Sequence, residues 1–170
     1  MKKLDTPEAL SQLTKPEHPV LVVSGRIGDK VNVMVAGWVM RTSFSPPLAA
    51  LSVGRARYTH GLLSKYDEFV LCYPSGGQER IISFCGSRSG RDTDKIKEIG
   101  IPTLRASAVR LPLIDGSRVC FECRKTAELE TGDHTLFVGE VLASSGDPGK
   151  NPLINLGNYA YAEFSPETPS

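Results

Sequence analysis

Dense apolar runs alternate with short polar breaks along the chain, and most of the runs are only strand-length. HPVLVVSGRI (18–27) and KVNVMVAGWVM (30–40) are rich in Val and Ile, and Gly28-Asp29 between them suits a hairpin turn. PLAALSVGRARY (47–58) reads as a third strand, and EFVLCYP (68–74) as a fourth that stops at Pro74. The strand signal returns in VRLPLI (109–114), SRVCFECRKTAELE (117–130) and HTLFVGEVLASS (134–145), separated by Asp115-Gly116 and Gly132-Asp133. Helical spacing is confined to short pieces. TPEALSQL has a cap, an early proline and an acidic first turn, and THGLLSKYD places Thr59 as its N-cap. GGQERIISFCGSRSGRDTDKIKEIG predicts two short helices joined by a loop at 87–90. The Gly-, Pro- and Asn-rich tail, 146–170, is expected to wrap the surface or reach a second subunit.

Many strands, hairpin turns and few helices predict a mainly β chain: a closed or nearly closed antiparallel barrel with helical insertions. No βαβ repeat, GxGxxG or GxxxxGK[ST] is present, so dinucleotide-binding and P-loop folds are excluded on these signals. The 170 residues, without internal repeats, suit one domain.

Composition narrows the partners. Lys and Arg total 20 against 19 Asp and Glu, so nothing in the global charge pulls toward nucleic acid or an anionic membrane. Any anion must be held by a local group of donors. No apolar run approaches the roughly 20 residues that span a bilayer, and MKKLDTPEAL lacks the apolar stretch of a signal peptide. The expectation is a soluble, cytoplasmic protein. Cys72, Cys85, Cys120 and Cys123 then read as free thiols. Cys120 and Cys123 have CxxC spacing, but on a strand positions i and i+3 point to opposite faces. No second CxxC or paired His completes a metal site, so no metal is expected.

Candidate chemistry concentrates in VNVMVAGWVMRTSFSPP (31–47). Ala36-Gly37 leaves bare backbone along which a flat ligand can lie. Asn32 brings a donor and an acceptor, and Trp38 a rigid face. The same residues also fit a glycine bulge, a core Trp and a turn Asn. In LSVGRARYTHG (51–61), Ser52, Arg55, Arg57 and Thr59 gather before a helix, the ingredients of a phosphate site or of a solvated basic strand end. No triad spacing surrounds His18 or His60, so no catalytic side chain is assigned. Cys85 reads as a buried structural thiol.

NVMVAGWVMRTSFSPPLAALSVGRARYTHGLL resembles the signature of the flavin reductase-like family, and the likeness continues through FCGSRSGRDTDKI and GDHTLFVGEV. It is most similar to the flavoredoxin-type branch. The resemblance implies an FMN-binding split β-barrel of antiparallel, Greek-key type, acting as a homodimer with one FMN per subunit and the tail at the dimer interface. It implies that Asn32, Ala36, Gly37 and Trp38 border the isoalloxazine ring, and that Ser52, Arg57 and Thr59 hold the phosphate. Lys95 would approach the ring or the phosphate, His134 the ring or ribityl chain, and Phe164 would cover the ring. Ser43 and Arg55 are secondary candidates. Two functions follow: an NAD(P)H-dependent flavin reductase-like oxidoreductase, with NADH or NADPH as donor, or a non-enzymatic electron carrier between redox proteins. In both, the cofactor supplies the chemistry and the protein positions it.

Overall fold

The computed structural model describes residues 5–12, 15–27, 30–158 and 160–165. In chain order it has α1 (Thr6–Gln12), β1 (Val20–Ile27), β2 (Lys30–Ala36), β3 (Val39–Phe44), β4 (Pro47–Gly54), α2 (Tyr58–Lys65) and β5 (Glu68–Tyr73). There follow α3 (Glu79–Ser87), α4 (Lys95–Ile99), β6 (Thr103–Leu104), β7 (Leu113–Ile114), β8 (Val119–Thr131), β9 (His134–Gly146), β10 (Leu153–Gly157) and β11 (Ala160–Glu163). No helix among the described residues is long and apolar enough to cross a membrane.

Seven strands form one antiparallel sheet in the order β2-β1-β5-β8-β9-β4-β3. This order forces the sheet to curl. Laid flat, its edge strands β2 and β3 would stand six spacings of about 4.8 Å apart, or about 29 Å. Only Gly37 and Trp38 separate them in sequence, and the three residue steps from Ala36 to Val39 reach at most about 11 Å. The two edges must therefore meet, closing the sheet into a barrel split along the β2/β3 seam.

Period-two patterning packs the sheet on both faces. Val20 and Val22 of β1 join Leu51, Phe69, Leu71 and Phe137 in one core, while Leu21 and Val23 join Ile82, Cys85, Leu113 and Leu153 in another. A strand covered on both faces is expected to be apolar without interruption, as β1 is over residues 20–23. Cys120 belongs to the second core and Cys123 to the first, and all four cysteines are free. The CxxC spacing does divide across the sheet.

Several boundaries differ from the sequence reading. The strand expected over 30–40 breaks at Gly37-Trp38, where the chain passes from one sheet edge to the other. The strand expected over 47–58 ends at Gly54, and α2 starts at Tyr58 with Arg57 in the cap position and no side-chain cap bond. Thr59 lies inside that helix instead of capping it. Leu113–Ile114 pairs with Thr103–Leu104 and not with β8, so Asp115-Gly116 is no hairpin of the main sheet. The tail folds into the β10/β11 hairpin. The β8/β9 hairpin turns at Gly132-Asp133 as its sequence predicts, whereas Gly28-Asp29 lies outside the described residues.

Candidate functional site

A cleft of about 550 Å³ opens where the barrel is split. Its walls are β2 and the end of β4, and it is tied at both ends, to the residue after Gly37 and to α2. At one end the Ser52 N–H donates to the Trp38 carbonyl at 2.9 Å. At the other, Asn32 Nδ2 donates to Thr59 Oγ1 at 2.9 Å. Between these ties run Met34 and Ala36 on one side and Ser52 and Gly54 on the other.

Asn32 is buried and committed. Its amide also donates to Ser24 Oγ at 3.2 Å, and its Oδ1 presses on Gly90 so closely that a Cβ there would overlap it. The residue fastens β2 to α2 and to the 88–91 loop. Thr59 is buried against it and accepts its amide, while Arg57 lies exposed at the helix start. The loop after α3 adds Arg91 at that helix start and Arg88 elsewhere in the cleft lining. Arg88 lies over the Phe84 ring at 5.8 Å, and Arg91 lies over the Tyr58 ring at 6.0 Å and donates to the Ala56 carbonyl at 3.4 Å. Arg57, Arg91 and the backbone N–H groups opening α2 are the donors that an anion would need at this end of the cleft. Arg88 and Arg91 were missed from sequence, although SRSGR carries them openly. Their role depends on the loop returning to α2.

Lys95 is the most unusual side chain here. It opens α4 yet is only 3 % exposed, and its Nζ donates to the carbonyls of Val33 at 2.7 Å and Cys85 at 2.8 Å. Among the described residues it has no carboxylate partner. Burial lowers its pKa, opposed by the Cys85 thiol nearby. Burial likewise pushes Cys85 up to about 11, so the thiol stays protonated at neutral pH. An ammonium buried against two carbonyls at the side of a cleft favours an anionic or electron-rich occupant.

His134, between Trp38 at the Gly37 end and Arg57, opens β9 and sits over Gly54, with its Nε2 3.4 Å and Arg57 Cγ 3.8 Å from where a Cβ would stand. Its Nδ1 is 2.7 Å from the Asp133 carboxylate, which that hydrogen bond holds below the usual carboxylate range. Trp38 lies against the imidazole, with ring centroids 4.8 Å apart and planes 39° to one another. At 54 % exposed it is a cleft-mouth residue and not part of the core. Glu17, which no sequence signal singled out, reaches the same end from the segment before β1. Only its pairing with the distant tail hairpin brings it there.

Of the residues picked out from sequence, the fold gathers Asn32, Ala36, Gly37, Trp38, Ser52, Arg57, Thr59, Lys95 and His134 around this one cleft. Phe164 is not among its lining residues. It stands 54 % exposed beside the tail hairpin, its N–H donating to the Pro152 carbonyl at 2.9 Å. Arg55 turns away to Glu130 Oε2 at 3.0 Å, and Ser43 lies on β3 in a separate apolar groove. An elongated slot with bare backbone, a ring pair along its wall and arginines beside the start of α2 fits a flat ring system carrying a phosphate.

The chain is 38 % identical over 152 residues to a protein of Archaeoglobus fulgidus, covering 88 % of this chain and 85 % of that one. It is 32 % identical over 156 residues to the FMN reductase (NADH) SmoA of Agrobacterium fabrum, covering 89 % and 75 %. Among solved structures it is similar to an FMN-binding protein from Thermus thermophilus with bound 1-cyclohex-2-enone: TM-score 0.87, 28 % identity, 100 % and 98 % covered. It also shares its fold with the flavoredoxin of Desulfovibrio vulgaris (Miyazaki F), at TM-score 0.83 and 22 % identity over 100 % and 97 % of the chains. Residues 15–163 match the family described as flavin reductase like domain. The split barrel, the cleft at its seam and these likenesses agree: the chain belongs to the flavin reductase-like family.

Proposed function

We propose that this chain is a single-domain FMN-binding oxidoreductase that takes hydride from NADH or NADPH into FMN held in the cleft. The observation that carries this reading is the cleft's polarity. Arg57 and Arg91 stand at the start of α2 and Arg88 on the loop after α3, while bare backbone at Ala36-Gly37 lies at the other end of β2 and the Trp38–His134 pair reaches from there to Gly54. The relative that reduces FMN with NADH supports the same reading. When bound, FMN supplies the hydride-accepting and electron-passing chemistry.

The chain's own residues hold and tune. Arg57 and the N–H groups opening α2 take the phosphate, while Ser52 lines the cleft wall toward Trp38. Thr59 and Asn32 fix the geometry of that end by bonding each other. Lys95 places positive charge against the cleft wall and favours added negative charge in the ring. Asp133 orients the His134 imidazole, which packs on Trp38 at the mouth. The exposed mouth leaves room for a nicotinamide to stack, with no dinucleotide fold of its own required.

The active unit in this reading is a homodimer. On β3, Phe44 is 85 % and Met40 55 % exposed, beside an apolar groove of about 310 Å³ that includes Phe121 and Val141. A second copy of the same face would cover both.

The test is anaerobic. Purified protein loaded with FMN is mixed with NADH and with NADPH, and the flavin absorbance is followed. Rapid bleaching by either supports the reductase. A yellow protein untouched by both, yet reduced by a low-potential redox protein, would replace it with the electron-carrier reading.

A further inference from the structure

Glu17 is the one acidic side chain among the described residues lining the cleft, whose other full charges are Arg57, Arg88, Arg91 and Lys95. It stands at the Gly37 end of β2, the opposite end from Asn32 and its bond to Thr59. Along β2 the cleft runs from Asn32 to Gly37, five residue steps or about 17 Å, and the Glu17 carboxylate lies over Gly37. The approach is so close that a Cβ at that position would overlap it. The bare backbone of Gly37 leaves the carboxylate that space.

The carboxylate is firmly held. The Glu17 N–H donates to the Asn155 carbonyl at 3.1 Å, and the Asn155 N–H donates back at 2.8 Å, tying the segment to the tail hairpin. Lys15 Nζ and Asn155 Nδ2 both donate to Oε1, the latter at 3.1 Å. Oε2 carries neither bond. Such an oxygen attracts an N–H donor and repels an anion. A ligand complementary to this cleft is therefore negative at the α2 end and presents an N–H at the Gly37 end.

We propose that Glu17 is a specificity-determining residue whose Oε2 accepts the N3–H of the flavin's pyrimidine edge, while Lys15 and Asn155 hold it in place. The proposal rests on the FMN reading above and deepens it. It fixes the direction of the ring in the slot: pyrimidine edge toward Gly37, phosphate toward α2. It also gives the tail hairpin a task, because Asn155 reaches the site only through the β10/β11 fold.

The probe is FMN methylated at N3, which has lost this donor and carries a methyl group in its place. Dissociation constants for FMN and N3-methyl-FMN are measured on the wild-type protein, Glu17→Ala, Glu17→Gln and Asn155→Ala. The expected wild-type preference for FMN is at least about ten-fold, the worth of one hydrogen bond to a charged group. It should collapse toward unity in Glu17→Ala and fall part-way in Glu17→Gln, whose neutral oxygen still accepts. Asn155→Ala should keep a clear preference, which a purely structural role for Glu17 would not foresee. FMN binding with the wild-type preference retained in both Glu17 variants overturns the inference. A wild-type protein that binds neither flavin overturns the FMN reading itself, and this inference with it.

Discussion

Lys95 carries the sharpest electrostatic argument at the scale of single residues. A charge so buried, with two carbonyls and, among the described residues, no carboxylate partner, is retained against its desolvation cost. Its depressed pKa means that the unfolded chain binds that proton more tightly. The penalty is therefore present at neutral pH and fades only as pH rises toward the ordinary lysine range. The account recovers that cost in the cofactor, so Lys95→Met should make the bound flavin's reduction potential more negative. A shift of about 30 mV corresponds to about 1.4 kcal/mol for a two-electron couple. Spectroelectrochemistry checks it, and an unchanged potential places Lys95 away from the ring.

Residue types alone could not give these roles. Asn32 and Thr59 were picked out as ligand contacts, yet each holds the other, and the signal for that lay 27 positions apart in sequence. Trp38 reads equally well as core or cleft from its neighbours, because the barrel's seam at Gly37-Trp38 has no local signature. Phe164 rests on family likeness alone, and here it stands outside the cleft lining.

Among the elements, the long β8/β9 hairpin was legible because Gly132-Asp133 separates two alternating runs. The tail hairpin was not, since its Gly, Pro and Asn content resembles an irregular segment and its strands depend on pairing across Gly157-Asn158. The irregular stretch between β6 and β8 is held by one buried carboxylate. Glu122 on β8 accepts the N–H groups of Ser107 and Val109 at 3.0 and 3.2 Å, together with that of Ala108 and the Ser107 hydroxyl. Burial alone would raise its pKa, but these donors outweigh it and the net shift is downward. A depressed carboxylate stabilises the fold above its unfolded pKa and loses that contribution as pH falls through the folded value. Glu122→Gln should cost about 1–3 kcal/mol at neutral pH and flatten the fall of Tm below about pH 4.5. Thermal melts of both proteins from pH 3 to 7 check this, and parallel curves would refute it.

For the whole molecule, strand count and hairpin turns foretold an antiparallel barrel. The strand order that splits it could not be read locally, because β2 and β3 are chain neighbours placed at opposite sheet edges. That split produces the cleft and leaves β3 as an apolar edge in this single chain. A Phe44→Glu substitution should convert a dimer to a monomer in light scattering with its melting behaviour otherwise preserved. A wild-type protein that is already monomeric would contradict the proposed assembly.

The central claim is that the cleft holds FMN with its phosphate at the start of α2. Trp38, the only tryptophan and a cleft-mouth residue, provides the readout. Flavin-free protein is titrated with FMN and with riboflavin while tryptophan emission is followed, in the wild type and in the Arg57→Ala, Arg91→Ala double variant. The account predicts strong quenching, with FMN binding about 100-fold tighter than riboflavin, the worth of one or two charge-assisted hydrogen bonds. That preference should largely disappear in the double variant. Equal affinity of the wild type for the two flavins, or an FMN preference unchanged by the loss of both arginines, would contradict it.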